Sequence, residues 1–137
     1  MIHLKWPFTV AALVTGTVGP APAVAQQVIA TYDTRISHQD LVNSRGERIG
    51  SFCGVVQQDR ANFHRFNKRD PVDMGDPVFA DAGLRAQIAT SCEIAAGYEY
   101  LPDAVLSTPA SSYGYILRVT VLNDGGRLRI LVAERAG

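Results

Sequence analysis

Tyr113-Gly114-Tyr115-Ile116-Leu117-Arg118-Val119-Thr120-Val121-Leu122-Asn123-Asp124-Gly125-Gly126-Arg127-Leu128-Arg129-Ile130-Leu131-Val132-Ala133-Glu134 is the stretch that decides the fold of this chain. Two runs rich in branched aliphatic residues, 113–122 and 127–134, flank the turn-forming tetrapeptide Asn123-Asp124-Gly125-Gly126. That composition predicts a β-hairpin. With Asp124-Gly125 as the two turn residues, Val121 pairs with Leu128, Val119 with Ile130 and Leu117 with Val132. All three pairs are apolar and share one face, so register and hydrophobic pattern agree. The opposite face carries Arg118, Thr120, Arg127 and Arg129.

An isolated hairpin is marginally stable in water, so a third strand is required. Residues 28–36 supply the pattern: Val28, Ala30, Tyr32, Thr34 and Ile36 alternate with Ile29, Thr31, Asp33 and Arg35. Ser37-His38-Gln39-Asp40 then has the spacing of a capping box, in which a hydroxyl and an acid three residues later serve orphan backbone donors.

Helical spacing predicts two covering elements. Ile49, Phe52, Cys53, Val56, Arg60 and Phe63 recur every three or four residues, which places a central helix over 47–66. Gly50 and Gly54 share a face of it and would admit a close backbone approach. Asp76-Pro77 reads as an N-cap followed by proline at the first helical position, and Gly97 as a C-terminal cap, which places a second helix over 77–96. Pro102 argues against a central strand in 98–106, leaving an extended piece or a loop. The fold class is therefore α+β: two main helices packed on a small antiparallel sheet that ends in a C-terminal hairpin.

The amino-terminal 25 residues read as a secretory leader. Lys5 gives the positive start, 6–18 the short apolar run, and Ala21-Pro22-Ala23-Val24-Ala25 the small-x-small ending, with the cut between Ala25 and Gln26. The run is too short and too often interrupted to span a bilayer. Residues 26–137 then form one exported domain of 112 residues, periplasmic or secreted. Its 12 basic and 13 acidic side chains nearly balance, which argues against a nucleic-acid binder or a polybasic membrane-surface protein. In an oxidising compartment its two cysteines, Cys53 and Cys92, pair most simply as a disulfide; two free buried thiols are the alternative.

Polar chemistry concentrates in Asp59-Arg60-Ala61-Asn62-Phe63-His64-Arg65. Arg60 interrupts an apolar helical row, so its charge must reach either solvent or a carboxylate. Asp59, Arg60, Asn62, His64 and Arg65 form a candidate cluster, for a small anionic ligand, for a protein partner, or as an internal brace between helix and sheet. The competing class is a small enzyme or metal-dependent protein using His64 with Asp59 or Asp70. No zinc spacing, calcium loop, nucleophile elbow or phosphate-cradling loop supports it, and no cofactor is implied. Acids at 70, 73, 76 and 81 and cations at 65, 68 and 69 are explained as helix-end charges. Cys53 and His64, eleven residues apart on one helix, are separated by about 16 Å of rise.

Overall fold

In the computed structural model, residue 3 and residues 11–136 are described. The leader residues 5–10 lie outside them; 11–26 carry no regular structure and are exposed.

The sheet has four strands in the order β1-β3-β4-β2, with β1 at Gln27–Ile36, β2 at Cys92–Ile94, β3 at Tyr115–Asp124 and β4 at Arg127–Glu134. β1 pairs antiparallel with β3, and β3 with β4, whereas β2 runs parallel to β4. The α+β class holds, but the sheet is mixed and not antiparallel throughout.

The hairpin forms in a register two residues away from the expected one. Val121 faces Ile130, Val119 faces Val132 and Leu117 faces Glu134, and the turn residues are Gly125 and Gly126. Both have positive φ, +59° and +88°, as a type I′ turn demands, and Asn123 Oδ1 accepts the Gly126 N–H. A Gly-Gly pair occupies both positions without the cost Asp124 would carry there. A shift of two preserves sidedness, so Leu117, Val119, Val121, Ile130 and Val132 are all fully buried on one face as expected.

The predicted central helix is shorter: α1 spans Phe52–His64, with Ser51 as N-cap accepting the Gly54 N–H. Residues 43–48 instead close a tight loop, in which Asn43 Oδ1 takes the N–H groups of Arg45 and Glu47 and Val42 bridges to Arg48. The expected backbone approach at the glycines does not occur. The atoms nearest a Cβ on Gly54 would be those of Ser51 and Ile49, side chains of its own chain segment, and Gly50 faces open space.

The second helix is broken into α2 (Ala82–Ala86) and α3 (Ile88–Ser91), after which the chain extends into β2. Asp76 does cap the backbone, accepting the Val78 and Phe79 N–H groups, but the helix starts later, at the Asp81 cap. Cys92 and Ile94 pack on the core while Glu93 turns outward to Arg129, a strand alternation too short to register as one. Residues Leu101–Leu106 form α4, with Pro102 in its first turn, where a missing N–H leaves no gap. The Cys53–Cys92 disulfide is present and ties α1 to β2. Phe52, Val55 and Val56 of α1, Ile88 of α3 and Leu101 and Val105 of α4 share one core with the inner face of the sheet.

Candidate functional site

Arg60 is the largest fully buried side chain, with 0% exposure. Its position on the apolar row of α1 points the guanidinium at β1, where Thr34 is the polar residue on the inward face. Arg60 Nε donates to Asp59 Oδ2 at 2.7 Å, Nη1 to Asp76 Oδ2 at 3.0 Å and to Met74 O at 2.9 Å, and Nη2 to Thr34 Oγ1 at 3.0 Å. The cation also lies over the rings of Tyr32 and Phe63, 4.2 and 4.7 Å from their centroids. It therefore meets two carboxylates inside the protein, the condition under which a buried arginine is tolerated.

The carboxylates are held from several directions. The single proton of Thr34 Oγ1 is shared between Asp59 Oδ1 at 2.7 Å and Asp73 Oδ1 at 3.0 Å. Asp73 also accepts the N–H groups of Arg35 and Asp70, and Met74 N–H donates to Asp33 O. In this way the loop 70–76 covers part of the β1 edge. His64 Nε2 donates to Asp76 Oδ2 at 2.7 Å, and its side chain is 12% exposed.

Burial pushes Asp59 up to about 6, against the pull of the Arg60 charge and hydrogen bond. Burial also pushes Asp76 up, but hydrogen bonds from His64, the Phe79 N–H, Arg60 and the Val78 N–H outweigh it and hold the group below the ordinary carboxylate range. Desolvation disfavours the Arg60 cation, yet the Asp59 charge, Tyr32 and the hydrogen bonds to Asp59 and Asp76 together outweigh it and raise the group. Among the described residues the buried Tyr32 hydroxyl has no hydrogen-bond partner, and burial raises it well above its usual value.

Asp59, Arg60 and His64 thus converge, but through Asp76. His64 contacts neither of the acids considered for it: Asp59 is committed to Arg60 and Thr34, and Asp70 accepts from Gln39 Nε2 at 3.3 Å. Arg65 points outward and stacks on Phe66 at 5.0 Å. Among the described residues no three His, Cys, Asp or Glu side chains are placed to hold a metal ion. None of the four main cavities is lined by Asp59, Arg60, His64 or Asp76.

Asn62 belongs to a second, separate group. Its Nδ2 donates to Gln39 O at 3.1 Å and to Asp40 Oδ1 at 2.8 Å, two acceptors that fix the orientation of the amide. Gln58 Nε2 donates to Asn62 Oδ1 at 3.0 Å. Asp40, 1% exposed, closes the capping box by accepting the Ser37 N–H. Burial and the nearby Asp59 charge push Asp40 up to about 7, while Asn62 and Ser37 draw it back. This group backs a cavity of about 240 Å³ at the C-terminal end of α1, lined among others by Gln39, Ser44, Gln58, Asn62, Phe66 and Lys68. Asn67, at φ +53°, turns the chain there and sets Phe66 and Lys68 on the rim.

Thr34, Asp40 and Tyr32 were not candidates by sequence. Thr34 carried a signal, a hydroxyl on the inward face of a strand opposite an arginine on the inward face of a helix. Asp76 had none, because its approach to His64 depends on how the loop 65–75 folds back. Comparison with protein-family models, curated protein sequences and solved structures finds no match, so functional assignment rests on side-chain geometry.

Proposed function

We propose that this chain is an exported binding or accessory protein. Its Asp59–Arg60–Asp76–His64 network is a structural clamp, and its ligand contact lies at the amide-lined cavity beside that clamp. The observation that carries this reading is the closure of the network: the guanidinium is fully buried and its hydrogen bonds end on Asp59, Asp76, Thr34 and Met74 O. A guanidinium that reaches neither solvent nor a cavity wall is poorly placed to meet a ligand. The cavity at the end of α1 has the opposite character, with partly exposed amides backed by a buried, fixed one.

Three features support export to the periplasm or the medium. The small-x-small sequence ends at Ala25, and β1 begins at Gln27, directly after the proposed cut. An intramolecular disulfide fits an oxidising compartment. Among the described residues no helix is long and apolar enough to cross a membrane. A larger and more open cleft of about 540 Å³ lies between α3 and the β3–β4 turn, but Arg129 and Glu93 on its wall already satisfy one another.

Mass measurement of the exported protein before and after reduction tests the first half: the expected species begins at Gln26 and gains the mass of two hydrogen atoms on reduction. A thermal-shift screen of that species tests the second. A ligand at 100 times its dissociation constant raises stability by about 2.7 kcal/mol. Binding abolished by His64→Ala at unchanged stability would move the site to His64 and overturn the assignment.

A further inference from the structure

We infer that the cavity at the C-terminal end of α1 takes a neutral, hydroxyl-rich ring of monosaccharide size; this rests on the binding role proposed above. An amide carries two N–H donors and an oxygen with two lone pairs. Both Asn62 N–H groups are engaged, by Gln39 O and Asp40 Oδ1, and Gln58 fills one lone pair of Asn62 Oδ1. Gln58 uses one N–H on Asn62, and Gln39 one on Asp70. Among the described residues this leaves one lone pair on Asn62, one N–H and the oxygen on each glutamine, and the Ser44 hydroxyl, all on residues that line the cavity.

That is a mixed set of donors and acceptors. Hydroxyl groups both donate and accept, so a polyol can satisfy all of it. An ionised carboxylate only accepts, and would set its lone pairs against the oxygens of Asn62 and the glutamines. Asp40 behind Asn62 and Asp70 on Gln39 oppose an anion further, with Lys68 the lone cation on the lining. Phe66, 40% exposed, offers a flat apolar surface for the C–H side of a ring. The volume of about 240 Å³ falls below that of a drug-sized pocket and suits one ring, either a free monosaccharide or the end of a glycan.

The test is titration of the ¹⁵N-labelled protein with N-acetyl-D-glucosamine, with its methyl β-glycoside and with sodium acetate, following the side-chain amide signals of Gln39, Gln58 and Asn62. Saturable shifts are expected with sugar and not with acetate. Binding should weaken by about five- to tenfold in Phe66→Ala and in Gln58→Leu, two partly exposed positions whose loss leaves the remaining spectrum in place. A response to the free sugar alone assigns a monosaccharide; an equal response to the glycoside assigns a glycan end. Saturable binding of acetate alone overturns the neutral ligand while the binding site stands. No saturable shift from any of the three overturns both, and sugar binding indifferent to both substitutions overturns the location.

Discussion

Arg60→Met removes the guanidinium while keeping a long apolar side chain between Tyr32 and Phe63. Asp59 and Asp76 are then left without the cation that each hydrogen-bonds at 2.7 and 3.0 Å, and Thr34 and Met74 O lose a donor. Breaking a buried pair from one side costs roughly 3–5 kcal/mol, a large share of the 5–15 kcal/mol typical of a small domain's net stability, to order of magnitude. Asp59 lies at about 6 even with Arg60 beside it, so loss of the cation moves it higher. The variant then binds a proton on Asp59 more readily when folded than when unfolded, and its deficit shrinks as pH falls. Adding Asp59→Asn to Arg60→Met removes the orphaned charge and is expected to restore at least about 1 kcal/mol. Urea unfolding followed by circular dichroism, at about pH 7.5 and about pH 5, reads all three variants with one assay. A deficit under about 1 kcal/mol near neutral pH, or one that does not change with pH, would refute the clamp.

Three further outcomes are expected. Asp40, at about 7, and Asp59, at about 6, are raised, so their contribution is complete below the unfolded value near 4 and is lost as pH rises through 6–7. Asp33, lowered chiefly by its hydrogen bond from Arg118, and Asp76, also lowered, contribute above that value and lose it as pH falls. Melting temperature should therefore peak near pH ~4–5 and decline towards neutrality, and a maximum at pH ~7 or above would contradict the assigned directions. Replacing Cys53 and Cys92 together by serine should cost about 4 kcal/mol, from the loop that a separation of 39 residues closes, read as a lower urea midpoint. Gly114→Ala combines a φ of +72° with a Cβ that overlaps the Ile36 carbonyl oxygen, and should cost at least about 2 kcal/mol; Gly125→Asn, at φ +59° in open space, should cost well under about 1 kcal/mol, so equal losses would show that steric overlap is not the cause.

Sequence patterning by itself determined the three long strands, the sidedness of the hairpin, the core row of α1 and the need for the Arg60 charge to reach solvent or a carboxylate. Each follows from a repeat of 2.0 or 3.6 residues, or from the energy of a buried charge, and both are local properties of the chain. Tertiary structure decided what no local repeat encodes. A register shift of two leaves the alternation of Val119 and Val121 unchanged, so only the positive φ of Gly125 and Gly126 selected the observed hairpin. Cys92–Ile94 became a strand because β4 offered a parallel edge, although its neighbours carry helical spacing. Asp76, not Asp59 or Asp70, reached His64 because the loop after α1 doubles back over β1, and Asn62 left the Arg60 cluster for Asp40 because side chains two positions apart on a helix point about 160° apart.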